Sequence, residues 1–425
     1  MNDQFRALDT MNSLMPGPIQ FHERIEVIDI IRGFALLGIL IVNMAFFSYP
    51  IMYLELLGQE MWTVFLDKAV LGVISLFIEG KFYSMFSFLF GLGFVIFMER
   101  AKVRSAKPLL LFYRRIFILL IIGLFHAFFI WFGDILVSYA ILGFLLPLFF
   151  NRKPKTILTW VVIFFTIAVL PTALTLLSTI SVDDVAYAVY MQEFFTNIEM
   201  KVESSIYAYG QGTFGELMAQ RVEDTLFTYN YLIFVLPLIF PMFLLGLYGG
   251  KKRIFQDIKH NLPFIKRVWK WSLVIGFSMS IINYLSGLQV DLRSTGSIYD
   301  LINMGSRVLA DPGLSIFYMS SIVLLCQNKD WIQKLRPLAN VGRMALSNYL
   351  FQSIVCTTIF YSYGLGLYGK VGPAAGLVFT LIIFATQIFI SRLWLNKYRF
   401  GPIEWLWRTL TYGKLQKMTI TEKMS

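Results

Sequence analysis

The sequence predicts an all-α integral membrane protein, a bundle of about ten transmembrane helices of roughly 20 residues each, and three observations carry that expectation. Of the 425 residues, 57% are hydrophobic and 17% aromatic, with a mean hydropathy of +0.65, which is more than a water-soluble fold can hide inside itself. The apolar residues come in long unbroken runs rather than short alternating strands, and of the two structures that satisfy every backbone group within hydrocarbon, such runs select helices over a closed barrel. The net charge of +11 falls in short clusters between the runs, where basic residues orient a membrane protein. The expected partner is therefore the lipid bilayer, and no nucleic-acid partner is expected.

Residues 1–27 read as a polar cytoplasmic N-terminal segment, and the first apolar run, 33–47, lacks a small-residue cleavage site after it, so it is an uncleaved first span. Spans are expected near 28–48, 82–98, 116–133, 135–150, 156–180, 229–249, 268–288, 305–326, 344–363 and 373–393, each boundary within about 2–4 residues. Residues 62–81 are apolar but carry Asp67 and Lys68 mid-run and end in Glu79-Gly80-Lys81. Because unpaired charge is costly at the bilayer centre, a re-entrant or interfacial segment is expected there rather than a further span.

The loops holding Arg100 to Arg115, Arg152 to Lys155, Lys251 to Arg267 and Lys329 to Arg343 alternate with poorly basic ones and belong inside. Both termini are then cytoplasmic, with 394–425 as a cytoplasmic tail. Residues 28–393 form a single polytopic domain with an external amphipathic insert, 181–228, that interleaves Asp183, Asp184, Glu193, Glu216, Glu223 and Asp224 with Tyr187, Tyr190, Phe194, Tyr207 and Tyr209. Cys326 and Cys356 have no metal-ligand spacing and read as packing residues, and no metal site is expected.

Ionisable groups inside a bilayer are the best pointers to a site. Asp29 and Arg32 are three apart at the start of the first span and can pair, with Asn43 deeper on the same helix. His126 stands eleven residues beyond Arg115, about 16 Å deeper along a helix, where imidazole serves as a general base or as an interhelical hydrogen-bond donor. Asp134 lies at a turn, eight residues beyond His126 and about 80° round an ideal helix, so pairing with His126 requires the turn to bend it back. Lys81 flanks Gly80 opposite Glu79. His22 and His260 sit in polar flanks.

These residues lie in longer motifs. Asp29-Ile30-Ile31-Arg32-Gly33 with Asn43, Gly80-Lys81-Phe82-Tyr83-Ser84 with Leu89-Phe90-Gly91, Arg114-Arg115, Gly123-Leu124-Phe125-His126 and Gly133-Asp134-Ile135-Leu136 mark the N-terminal half. Gly342-Arg343-Met344-Ala345-Leu346-Ser347-Asn348-Tyr349-Leu350 with Gln352-Ser353, and Gly401-Pro402-Ile403-Glu404-Trp405-Leu406-Trp407-Arg408, mark the C-terminal half. Over most of its length the chain resembles the YeiB-like family of bacterial integral membrane proteins, a domain of unknown function, with Ser347 where the family pattern has threonine. That family is distantly similar to transmembrane acyltransferases, including those that acetylate sugars across a membrane.

The resemblance implies an O- or N-acyltransferase of the bacterial plasma membrane, moving an acyl group from cytoplasmic acyl-CoA, as co-substrate and with no bound cofactor, to an external or cell-envelope acceptor such as a glycan. In this reading His126 and Asp134 are catalytic. Arg114, Arg115 and Arg343 face the donor phosphates, Arg32 held by Asp29 contacts an anion or thioester carbonyl, and Asn43, Lys81, Asn348 and Gln352 complete the donor and substrate positions. Two other classes stay open: a secondary transporter whose polar path is lined by Asp29, Arg32, His126 and Asp134, and a non-catalytic scaffold or sensor that uses the external insert.

Overall fold

A computed structural model describes residues 25–178, 184–290 and 296–420. His22, Asp183 and the side chains of Asp184 and Tyr187 lie outside the described residues. The chain is an all-α membrane protein, and among the described residues the extended pairing is a lone bridge between Tyr398 and Thr419. Among the described residues, seven segments are long and apolar enough to cross a bilayer: Glu26–Ser48, Phe65–Val103, Pro108–Ile130, Pro154–Leu177, Leu232–Lys251, Ile298–Leu325 and Pro373–Lys397. Each coincides with an expected span. The expected span at 268–288 falls within the longer helix Ile258–Gly287, and those at 135–150 and 344–363 fall on the short apolar helices Leu136–Leu145 and Ala345–Phe360.

We number the helices α1 (Glu26–Ser48), α2 (Ile51–Leu57), α3 (Phe65–Phe77), α4 (Lys81–Arg104), α5 (Pro108–Phe125), α6 (Leu136–Leu145), α7 (Pro147–Phe150), α8 (Pro154–Ser178), α9 (Asp184–Gly210), α10 (Phe214–Asn230), α11 (Leu232–Lys251), α12 (Ile258–Gly287), α13 (Ile298–Leu325), α14 (Lys329–Arg343), α15 (Ala345–Phe360), α16 (Pro373–Lys397) and α17 (Pro402–Tyr412). Helices α6 and α15 are buried along most of their length. Protein rather than lipid surrounds them, so they need not match the hydrocarbon thickness. By contrast α5 turns Phe117, Ile121 and Phe125 outward and α8 turns out Val162, Leu170 and Leu174, a surface suited to acyl chains.

The ambiguous segment 62–81 adds no crossing of its own. Asp67 accepts the Ala374 N–H at 2.8 Å and so caps the start of α16, which explains a carboxylate in an apolar run. Thirteen residues later the chain reaches Gly80, packed on Asp311 midway along α13, and Phe82 rests on Gly38 midway along α1. Helix α3 is therefore the first part of one interrupted stretch that α4 continues.

The bundle has two distinct ends. One gathers the start of α1, the ends of α4, α14 and α16, the start of α5, and α17, and it carries most of the arginines. The other gathers the end of α1, α2, the α9–α10 pair and the start of α16, joined where Gly369 N–H donates to Ser48 O at 2.7 Å. At the first end α1 and α14 cross closely. A Cβ on Gly33 would fall 2.0 Å from Leu338 O, and one on Gly342 would fall 1.9 Å from Asp29 O. These two glycines bring Arg343 alongside Asp29 and Arg32.

Candidate functional site

Helix α5 does not end as an α-helix. It passes into a π-helical turn, His126–Ile130, closed by a Trp131 N–H to His126 O bond of 2.8 Å. The wider turn and the reversal at 131–135 carry Asp134 back onto the imidazole. Its Oδ1 lies 2.8 Å from His126 Nδ1, and its Oδ2 accepts the Val137 N–H at 2.8 Å in the first turn of α6. The bend that an ideal helix does not supply is thus built into the chain.

On the other side of the ring, His126 Nε2 stands 2.8 Å from Ser353 Oγ of α15. The side chains of His126 and Asp134 are fully buried, as is Ser353. Asp134 already accepts a backbone N–H at one oxygen, so the consistent assignment has the other accept Nδ1–H, leaving Nε2 as acceptor for the serine hydroxyl. The three groups form a relay, Asp134 to His126 to Ser353, with the connectivity in which a carboxylate fixes the tautomer and Nε2 carries the basic lone pair.

Aromatic rings and the opposite end of the bundle hold this arrangement. Tyr349, one turn before Ser353, places its ring 5.1 Å from the imidazole, and Trp131 lies edge-on at 6.2 Å while stacking on Phe47 at 4.0 Å. A helix end leaves carbonyls without intrahelical partners, and α10 supplies donors to those of the π turn. Arg221 Nη1 donates to Phe129 O at 2.7 Å, and the Thr225 hydroxyl, which donates to Arg221 O at 2.7 Å, also lies 3.2 Å from Ala127 O, both side chains being buried. In turn α10 is anchored through Asp224, which accepts Tyr53, Tyr209 and Gln220 at 2.6, 2.7 and 2.8 Å.

From the arginine-rich end a cavity of about 300 Å³ runs toward the relay. Its walls include Leu36, Phe86, Phe90, Phe94 and Leu119, and Tyr139 and Tyr349 belong to its lining. Five arginines line it, Arg32, Arg100, Arg115, Arg343 and Arg408, against the two acids Asp29 and Glu404. Both acids have partners of their own. Asp29 pairs with Arg32 at 2.9 Å, and Glu404 accepts the Leu346 and Ser347 N–H groups at 2.7 and 3.1 Å together with the Ser347 hydroxyl. The hydroxyl at position 347 is thus used. Arg115 lies 3.7 Å above the Trp407 ring, whose Nε1 donates to Arg115 O at 2.8 Å.

The structure brings together His126 and Asp134, and separately Asp29, Arg32, Arg115 and Arg343 around the cavity. It does not bring the remaining candidates there. Arg114 is exposed beside Gly413, and Asn43 is half-buried on α1 outside the cavity lining. Lys81 donates to Ser75 O at 2.8 Å and pairs with Asp311 at 3.3 Å. Asn348 and Gln352 tie α15 to α16, through Ser391 at 3.0 Å and Gln387 at 2.9 Å. Sequence reasoning missed Ser353, Tyr349 and Trp407 as site residues. All three stand in the quoted motifs, but a serine in an apolar run 227 positions from His126 announces no chemistry by itself.

These features define a multi-pass α-helical membrane protein with a buried Ser–His–Asp relay beside an arginine-lined cavity. The chain belongs to the family described as protein of unknown function DUF418, whose profile matches residues 249–414. It is 40% identical to the uncharacterized protein YxaH of Bacillus subtilis (strain 168), over 97% of this chain and 100% of that one. With the uncharacterized protein YeiB of Escherichia coli (strain K12) it shares 27% identity, over 92% of this chain and 96% of the other. The YeiB-like membership expected from the motifs is thereby established.

Proposed function

We propose that this protein is a transmembrane acyltransferase of the bacterial plasma membrane, with both termini cytoplasmic. The arginine-rich end then faces the cytoplasm by the positive-inside rule, and the α9–α10 pair faces outward. Acyl-CoA enters from the cytoplasmic end, its phosphates met by arginines and its pantetheine and acyl portion by the apolar walls. The acyl group passes to a hydroxyl or amine of an external acceptor, a cell-envelope glycan or small molecule, with His126 as general base. The observation that carries this reading is the placement of His126, between Asp134 and Ser353, behind Tyr349 at the wall of that cavity.

The test is saturable binding of acetyl-CoA and longer acyl-CoAs to the purified protein in detergent. Arg343→Ala is expected to weaken binding and His126→Ala to preserve it while abolishing transfer. Absence of binding to every acyl-CoA, or full transfer by His126→Ala, would refute the proposal. A secondary transporter is the second reading, favoured by the break at Gly80 beside the Lys81–Asp311 pair, since interrupted helices with internal charge also line transport paths. Substrate flux in proteoliposomes without an acyl donor would select it.

A further inference from the structure

Resting on the acyl-transfer reading, we infer that Ser353 is the nucleophile, so that the acyl group crosses from donor to acceptor through a covalent acyl-serine. A general base that acts directly on an incoming acceptor would leave its basic nitrogen toward the space the acceptor enters. In this structure His126 Nε2 instead meets Ser353 Oγ at 2.8 Å, while Asp134 holds Nδ1 at 2.8 Å and is itself fixed by the Val137 N–H. The first proton within reach of the base is therefore that of a serine hydroxyl.

The location fits a relay between two sides. Ser353 lies one helical turn beyond Tyr349, which lines the arginine-bearing cavity, and His126 belongs to the π turn whose carbonyls are held by α10 from the opposite end. Tyr349 separates the cavity from the relay. Its phenol donates to Gly133 O at 3.4 Å and also hydrogen-bonds the Ile135 backbone, so opening the path means releasing both contacts.

The chemistry balances without an added reagent. Ser353 Oγ attacks the thioester carbonyl as its proton passes to His126 Nε2. The Oγ–C bond forms, the C–S bond breaks, and the imidazolium returns the proton to the departing CoA thiolate. In the second half the acceptor hydroxyl or amine attacks the acyl-serine, giving its proton to Nε2. The Oγ–C bond then breaks and the serine oxygen recovers a proton. Two substitutions at the acyl carbon, with the serine oxygen as nucleophile in the first and leaving group in the second, let donor and acceptor occupy the site in turn.

The experiment uses the full-length protein in detergent with two probes. A fluorophosphonate reports the nucleophilicity of Ser353 whatever the natural donor, and acyl-CoA followed by denaturation and peptide mass mapping reports the acyl-enzyme. The inference expects fluorophosphonate on Ser353 in the wild type and none in His126→Ala or Ser353→Ala. It also expects an acyl adduct on the same peptide, and a loss of transfer in Ser353→Ala of about 10³-fold or more. Ser353→Cys, which keeps a nucleophile, is expected to regain the adduct. Thermal unfolding of each variant confirms that it is folded.

Transfer by Ser353→Ala within about tenfold of wild type, with His126 still required, would overturn the inference and leave direct transfer from donor to acceptor. Wild-type protein that binds and turns over acyl-CoA with neither probe on Ser353 would overturn it as well. Labelling by fluorophosphonate without any acyl-CoA binding would uphold the nucleophile and refute the choice of donor.

Discussion

Two of the polar clusters in this bundle are built differently. In the relay, neutral and singly charged groups meet at 2.8 Å on both imidazole nitrogens, and the side chains of His126 and Asp134 have 0% exposure. In the second cluster, full charges meet at longer range: Lys81 to Asp311 at 3.3 Å, Arg307 to Asp311 at 3.5 Å and Arg307 to Glu79 at 3.4 Å, with Arg307 and Glu79 at 35% and 42% exposure. The second cluster sits at a joint. Gly80, at φ 79°, carries a hydrogen where a Cβ would fall 2.0 Å from the Asp311 carboxylate, so α13 can press against the break between α3 and α4. Polar groups within the bundle are therefore held in two ways. What separates them is hydrogen-bond geometry that fixes a tautomer, as against ion pairing that tolerates slack.

The largest effect that follows is chemical. Asp134→Asn removes the group that fixes Nδ1–H, and transfer is expected to fall by roughly 10²–10⁴-fold, measured as acyl product per folded protein. Its acyl-CoA affinity is expected to stay at the wild-type value, because Asp134 is not part of the cavity lining. Undiminished transfer in this variant would reduce the relay to packing and erase the distinction.

In the ion cluster the effect is on folding. Lys81→Met leaves Asp311 buried with only the longer Arg307 contact, and is expected to destabilise by about 3–5 kcal/mol, whereas Lys81→Met with Asp311→Leu recovers most of that. Thermal unfolding in detergent measures both. Acyl-CoA affinity of the folded fraction is expected to be unchanged, and a large loss of affinity would return Lys81 to the donor site where its motif first placed it.

A third and smaller effect tests whether the α9–α10 pair sets the relay. Arg221→Met removes a charged donor from Phe129 O, at an expected cost of about 1.5–3 kcal/mol. Because that carbonyl belongs to the turn that aims His126, kcat is expected to drop while the KM for acyl-CoA stays constant. Equal changes in both would mean that α10 supports the whole bundle rather than the turn.

Much of this was legible in the sequence, and the gaps have physical causes. Apolar runs set α1, α4, α5, α8, α11, α13 and α16, because hydrocarbon imposes length and composition on any helix it surrounds. Helices α6 and α15, which carry part of the site, are short because protein surrounds them, and no such length rule reaches them. His126 and Asp134 stood out as ionisable groups at depth, but their contact depends on a π turn that 100° per residue does not describe. The same criterion, applied evenly, would have picked out Arg307 and Asp311, four apart inside the span expected at 305–326. Trp407 was hidden differently. It lies in a segment read as cytoplasmic tail, and only the docking of α17 on α5 shows that the tail completes the cavity.

The smallest effect sets two carboxylates of α10 against each other and concerns pH. Glu216, exposed at the start of the helix, closes a capping box with Thr213, and the Thr213 N–H and hydroxyl hold its carboxyl below its ordinary value near 4.5. That contribution is present above the ordinary value and is lost as pH falls through the lowered one. Asp224 runs the other way. Burial pushes its carboxyl above its ordinary value near 3.8, against the hydrogen bonds from Tyr53, Tyr209 and Gln220, so its contribution is full at low pH and is lost as pH rises through the raised value. Amide exchange of α10, corrected for intrinsic rate, is expected to show protection falling on both flanks. Glu216→Gln should flatten the lower-pH flank alone and Asp224→Asn the higher-pH flank alone. A higher-pH flank that survives Asp224→Asn would mean that the groups coupling the α9–α10 pair to the relay titrate elsewhere.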